Sequence, residues 1–277
     1  MKILFTPADL AADNGIKILD ATYYALEPGR DPRADFEAGH VPGALFLDLE
    51  HLADPASALP SMAPPAQQFE ARLRALGIDM DDRVLLYDQA PHKTAARAWW
   101  LFRLFGFDQV ALLDGGLGRW KAEGQPLETG PAEEPGGGNA TAWRNPALVR
   151  GLEEMEALVA IGAAQIVDAR SPARFSGAEG DPRPGVARGH MPGAYNLPNG
   201  RLFGEEGNWR SPDAILNAFR EAGVDPDAPI VTTCGSGITA SVLLFGLALA
   251  GKSDWALYDG SWSEWGAQPQ TPKESVA

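Results

Sequence analysis

A single cysteine, Cys234, among 277 residues excludes any disulfide within the chain and fits a reducing compartment. Histidine is nearly as scarce, with four in all, so a metal site of closely spaced Cys and His ligands has too few members to draw on. Positive charge is also short: 23 Lys and Arg stand against 37 Asp and Glu, a formal net charge of −14. Nucleic acid and anionic membrane both demand a basic face, so neither is expected as a partner. No run approaches the roughly eighteen apolar residues of a membrane span. The opening residues, Met1 to Leu10, lack the long apolar region and small-residue cleavage site of a secretion signal. These absences lead to the expectation of a cytoplasmic protein.

What is present begins with an internal repeat. Ile18-Leu19-Asp20-Ala21 is echoed by Ile166-Val167-Asp168-Ala169, and Gly39-His40-Val41-Pro42-Gly43-Ala44 by Gly189-His190-Met191-Pro192-Gly193-Ala194. Leu76-Gly77-Ile78 pairs with Ala222-Gly223-Val224, and Val84 to Asp88 with Ile230 to Cys234. Asp114-Gly115-Gly116-Leu117-Gly118-Arg119-Trp120 pairs with Asp259-Gly260-Ser261-Trp262-Ser263-Glu264-Trp265. The offset stays between 145 and 150 throughout. Each copy, at about 120 residues, is large enough to be a domain. The expected division is 1–128, a connector over 129–143 rich in Gly, Pro and acid, and 144–277.

Within each copy short apolar runs alternate with longer stretches of helical periodicity. Strands are expected over 16–21, 45–48, 84–88 and 110–113, then 165–169, 194–197, 230–233 and 255–258. Helices are expected over 65–76 and 94–105, then 152–161, 212–222 and 239–250. Alternation of this kind predicts an α/β fold, each copy a mostly parallel sheet flanked by helices. The two Gly-His-x-Pro-Gly-Ala segments suit turns in which the imidazole ties down loop backbone, and no metal is expected there.

Cys234-Gly235-Ser236-Gly237-Ile238-Thr239 runs from a strand into a helix. Ligands in parallel sheets collect beyond the carboxyl ends of strands, which is where this thiol falls. Loop N–H groups and a helix N-terminus favour a thiolate, the nucleophilic form of cysteine. The first copy carries Asp88 at the matching position, so one active site per chain is expected. Cysteine phosphatases place an arginine six residues after the cysteine to clamp phosphate. Here that position is Ala240, and the loop holds neither Arg nor Lys. Phosphoryl transfer is therefore disfavoured.

The tandem Gly-His-x-Pro-Gly-Ala segments, the Cys234 loop and Asp259-Gly260-Ser261-Trp262 together resemble the two-domain rhodanese family, over roughly residues 5 to 270. The resemblance implies two tandem rhodanese-like domains and sulfur transfer through a persulfide on Cys234, with no cofactor. Thiosulfate-using members carry a basic Cys-Arg-Lys-Gly loop, whereas Cys-Gly-Ser-Gly resembles the loop of the 3-mercaptopyruvate sulfurtransferases. That branch implies Cys234 and Ser236 as catalytic residues. It implies a donor held by Arg174, Arg183 and the loop residues Gly235, Gly237, Ile238 and Thr239. Arg170 reads as structural. Thioredoxin, small thiols or cyanide are the implied acceptors. One departure stands out: the branch carries a histidine in a Leu-Pro-His segment, where this chain has Leu59-Pro60-Ser61, and Glu50 stands for the usual aspartate. A serine–histidine–aspartate relay is therefore not carried over. Thiosulfate sulfurtransfer, or a catalytically weak sulfur carrier or regulatory protein, remain the alternatives.

Overall fold

A computed structural model describes residues 1–275 other than 14, 26 and 28. In the first half the elements are β1 (Leu4–Phe5), α1 (Pro7–Ala11), β2 (Lys17–Asp20), α2 (Pro32–Ala38), β3 (Leu45–Phe46), α3 (Ala66–Ala75), β4 (Val84–Tyr87), α4 (Ala95–Leu104), β5 (Val110–Leu113) and α5 (Gly116–Ala122). In the second half they are β6 (Val149–Arg150), α6 (Leu152–Ile161), β7 (Gln165–Asp168), α7 (Pro172–Ser176), β8 (Tyr195–Asn196), α8 (Pro212–Glu221), β9 (Ile230–Thr233), α9 (Ile238–Leu249), β10 (Trp255–Tyr258) and α10 (Ser261–Trp265). Two five-stranded sheets result, ordered β1-β5-β4-β2-β3 and β6-β10-β9-β7-β8. Every pairing is parallel. The expected α/β architecture is thus present twice, with the same strand order in each copy. The edge strands β1 and β6 were not expected from the sequence, because two residues are too few to show a period.

The chain divides into two compact units, one of Met1–Pro55, Ala63–Asn145 and Glu205–Trp209, the other of Ala56–Met62, Pro146–Gly204 and Arg210–Ala277. Residues 129–145 run along the first unit. The amides of Gly136, Gly138 and Ala140 donate to the carbonyls of Ala75, Arg74 and Ile78 at 3.0, 3.1 and 3.2 Å. Arg72 and Glu134 form an ion pair at 2.8 Å. Backbone hydrogen bonds and this ion pair hold the stretch, together with the burial of Ala140 and the packing of Ala132 against the core.

The repeated histidines do the same work in both units. His40 Nδ1 lies 2.8 Å from the carbonyl of Phe36, and His190 Nδ1 lies 2.8 Å from that of Phe175. Each ring stacks on that phenylalanine, centroids 3.9 and 3.8 Å apart. A bridge to Glu128 or Glu274 then closes the turn, the carboxylate accepting the amide of Gly43 or Gly193. Trp120 and Trp265 anchor the same strap through Pro126 and Pro272. Glu128 and Glu274 are 146 residues apart, inside the repeat offset, so the repeat alone could have found them.

The two units differ at one buried carboxylate. Asp168 pairs with the Arg170 guanidinium at 2.6 and 2.9 Å, and that guanidinium lies over the Trp262 ring at 4.5 Å. The first unit has Thr22 and Leu117 at the matching positions, and among the described residues no guanidinium pairs with the fully buried Asp20. Burial pushes the Asp20 carboxyl up to about 6. An acid whose folded value exceeds its unfolded one binds protons preferentially in the folded state, so stability falls as pH rises from about 4 to about 6. Above that window the cost levels off at roughly 3 kcal/mol. Urea denaturation at pH 7 and pH 5 should show the first unit more stable at pH 5. The gain should shrink in Asp20→Asn, which keeps an acceptor for the Thr22 amide.

Candidate active site

Cys234 follows β9, the central strand of its sheet, and is buried. The backbone around it is pinned from the turn after β10. The Cys234 amide donates to Ser261 Oγ at 3.2 Å, and Ser261 Oγ donates to the Tyr258 carbonyl at 2.8 Å. The amides of Trp262 and Ser263 donate to the carbonyls of Cys234 and Gly235, both at 2.9 Å. Ser261 takes a left-handed backbone, φ 51°, at the position where the first unit has Gly116 with φ 57°. Its two hydrogen bonds offset the cost of that conformation for a residue with a side chain. Ser261 was missed in the sequence, although its pairing with a glycine in the repeat was a visible signal.

Helix α9 begins at Ile238 after Gly237, which supplies the left-handed turn at φ 77°. A helix leaves its first amides without intrahelical acceptors. The amides of Gly235, Ser236 and Gly237 precede it and, among the described residues, donate to no backbone carbonyl. The loop therefore presents a run of open N–H groups, with Ile238 and Thr239 at the positive end of the helix. Almost every position of α9 is buried, so the helix holds this loop on a rigid base. Ser236 is buried too, and its hydroxyl makes no hydrogen bond among the described residues.

The equivalent loop of the first unit is filled from inside. Asp88 Oδ2 accepts the amide of Ala95, the first residue of α4, at 2.7 Å. Burial pushes that carboxyl up to about 6, against the pull of Lys93. A carboxylate occupies the amides there, while the second unit sets a thiol before amides left open.

Arg174 and Arg183 come together at the thiol loop. Pro172 starts α7 and Ser171 Oγ caps it, accepting the Arg174 amide at 3.3 Å, so Arg174 is held in the first turn. Arg183 follows Asp181-Pro182, and its amide turns back to Asp181 Oδ1 at 3.0 Å. A Cβ built on Gly235 would lie 3.4 Å from both Nη atoms of Arg183 and 3.5 Å from Nη2 of Arg174. Two guanidiniums thus border the residue next to the thiol. Asp181 links them, with Arg174 Nη2 at 2.5 Å and Arg183 Nη1 at 2.9 Å. Asp181 was not singled out in the sequence, since the bridge exists only once the loop is folded. Arg170, spent on Asp168 and on the carbonyl of Gly189, takes the structural place expected of it. Ser61 lies in Ala56–Met62, the early segment that belongs to the unit carrying Cys234, and has a left-handed backbone at φ 59°.

Among the described residues no helix is long and apolar enough to cross a membrane, and no group of three or more His, Cys, Asp or Glu could hold a metal.

The rhodanese-like domain model matches residues 8–123 and again 151–268. The chain is 40% identical over 267 residues to a 3-mercaptopyruvate sulfurtransferase of Escherichia coli K12, covering 95% of this chain and 94% of that protein. It is 38% identical over 253 residues to a thiosulfate sulfurtransferase of Gallus gallus, covering 91% and 86%. The crystal structure of a 3-mercaptopyruvate sulfotransferase from Escherichia coli superposes with a TM-score of 0.85 at 36% identity, covering 95% of this chain and 99% of that one. Overall identity barely separates the two donor types, so the donor has to be argued from the site. With two matches to one domain model and relatives aligned along nearly their whole length, this chain belongs to the rhodanese family as a tandem, two-domain member.

Proposed function

We propose that this protein is a 3-mercaptopyruvate sulfurtransferase. The observation that carries the reading is the meeting of two guanidiniums over Gly235, one residue from the only thiol. Two planar forks suit a carboxylate and the adjacent keto oxygen. Mercaptopyruvate bears both, with its sulfur on the next carbon. Proteins similar to this chain, aligned over nearly all of it, are named for the same donor.

In this reading Arg174 and Arg183 hold the carboxylate and keto oxygens of the donor. The Cys234 thiolate attacks the donor sulfur. The carbon–sulfur bond breaks with its electron pair staying on carbon, and the resulting enolate takes a proton to become pyruvate. Cys234 keeps the transferred sulfur as a persulfide, whose charge faces the open amides of Gly235 to Thr239. Ser236 offers its hydroxyl to the same sulfur. An acceptor thiolate then attacks the outer sulfur, and Cys234 leaves as thiolate. Thioredoxin and small thiols fit this second step in a reducing, cytoplasmic setting, and cyanide would give thiocyanate. Two half-reactions through one covalent intermediate predict ping-pong kinetics.

The deciding experiment measures pyruvate release from mercaptopyruvate beside thiocyanate formation from thiosulfate. Mercaptopyruvate should be the better donor. Arg174→Ala and Arg183→Ala should each cost it about 10- to 100-fold in kcat/KM, the worth of one or two charge-assisted hydrogen bonds, with a smaller loss for thiosulfate. A wild-type preference for thiosulfate would sink the reading.

A further inference from the structure

The arginine pair carries its own counter-ion. The Asp181 side chain is fully buried between the two guanidiniums, at 0 % exposure. Its Oδ2 accepts from Arg174 Nη2 at 2.5 Å and from Arg183 Nη1 at 3.2 Å. Its Oδ1 accepts from Arg183 Nη1 at 2.9 Å and from the Arg183 amide at 3.0 Å. These four contacts, from three donor atoms, leave each oxygen of the carboxylate with two partners. The guanidiniums, by contrast, are not used up. Among the described residues Arg183 Nε and Nη2 and Arg174 Nη1 make no protein hydrogen bond. The clamp keeps donors for a ligand while its internal acceptor is saturated.

We propose that Asp181 is the specificity-determining and positioning residue of this clamp: it fixes both forks and lowers the formal charge of the pair from two to one. The inference rests on the reading of Arg174 and Arg183 as the carboxylate clamp. A bare pair of guanidiniums favours a dianion, because each ligand charge finds its own partner. With Asp181 in place, one carboxylate brings the cluster to neutrality, and a second negative charge is left unmatched beside a buried one. Mercaptopyruvate carries a single carboxylate, whereas thiosulfate is a dianion. Discrimination therefore comes from an acid behind the arginines as well as from the missing basic residues in the loop. Asn does not replace it, because it has the shape but neither the charge nor the second acceptor oxygen.

Alkylation of Cys234 by iodoacetamide tests this without any sulfur donor, since Cys234 is the only thiol. Pyruvate and oxalate serve as protecting probes of similar size with one and two carboxylates. Wild type should be protected at lower pyruvate than oxalate concentration. D181N should reverse the order, moving the ratio of the two protecting constants by about tenfold or more. D181E retains the charge on a longer arm and should keep the wild-type order even if both constants weaken. In turnover, D181N should raise KM for mercaptopyruvate and shift the ratio of the two kcat/KM values towards thiosulfate. Equal shifts for both probes, or the same ratio in D181N and D181E, would overturn the proposal, as would wild-type protection favouring oxalate. If D181N does not fold, D181S takes its place, and the same reversal against wild type and D181E is expected. Protection by both probes that vanishes in Arg183→Ala, yet shows no charge preference, would leave the clamp standing and remove only the role given to Asp181. No protection of wild type by either probe would remove both.

Discussion

Cys234→Ser should abolish sulfur transfer, with kcat for either donor falling by about four orders of magnitude or more. A thiolate is a strong nucleophile towards divalent sulfur and forms a stable sulfur–sulfur bond, whereas an alcohol near neutral pH does neither. The change is nearly isosteric at a buried position whose amide and carbonyl are held by Ser261 and Trp262 through backbone atoms. The loop should keep its shape, so lost activity reports chemistry and not unfolding. Mass spectrometry supplies the companion reading. Wild type treated with donor should gain one sulfur atom at Cys234 and lose it on addition of a thiol, and Cys234→Ser should gain none. Turnover above a thousandth of wild type would defeat every mechanism that runs through a persulfide on this residue. A sulfur that stays on wild-type Cys234 in the presence of thiols and cyanide would mark a carrier and not an enzyme.

Gly235→Arg should lower kcat/KM for mercaptopyruvate by about 100-fold or more, while Gly235→Ala should change it by only a few-fold. The Cβ of an alanine would meet the guanidiniums of Arg174 and Arg183 at ordinary contact distance. A third guanidinium has no such place. Like charges about 4 Å apart repel by roughly 4 kcal/mol at the effective dielectric of a protein surface. Arg174 and Arg183 would have to give way, and Asp181 would be drawn towards three partners. Losing about 2.8 kcal/mol, some two-thirds of that energy, from donor binding accounts for a 100-fold change. The same substitution brings a basic group to the loop, so thiosulfate use should fall far less. Kinetics with both donors on the two variants would check the point. An equal loss for both donors would show that the loop backbone was damaged instead. The expectation also gives a physical reason why a Cys-Gly loop and this arginine pair occur together: the space and the charge cannot be used twice.

Much of this was legible in the chain itself. The repeat offset and the alternation of apolar periods identified the strands β2, β4, β5, β7, β9 and β10 and the long helices, because four or more residues suffice to display a period. The edge strands β3 and β8 were expected as well, after the repeated Gly-His-x-Pro-Gly-Ala turns, whereas the edge strands β1 and β6 and the five-residue helices α1, α7 and α10 were not visible. Their positions depend on sheet pairing and caps, as with the Thr6 box that opens α1. The reading of residues 129–143 as a connector followed from composition. Their hydrogen bonds to the carbonyls of Arg74, Ala75 and Ile78 did not, since any sequence can offer a backbone amide.

The sequence by itself determined where to expect the reactive group: one thiol, between the end of a strand and the start of a helix. A lone cysteine, the glycines beside it and the cysteine-free twin at Asp88 are all local facts. It also determined which arginines to watch. Only the tertiary structure decided what those arginines face. The meeting of Arg174 and Arg183 at Gly235 joins side chains about fifty and sixty residues away from that glycine in sequence, and the buried carboxylate of Asp181 between them depends on that meeting. Charge and distance act through space, and a sequence records only order along the chain. The thiol loop was therefore readable from its letters, while the electrostatic balance that suits one donor over another had to wait for the fold.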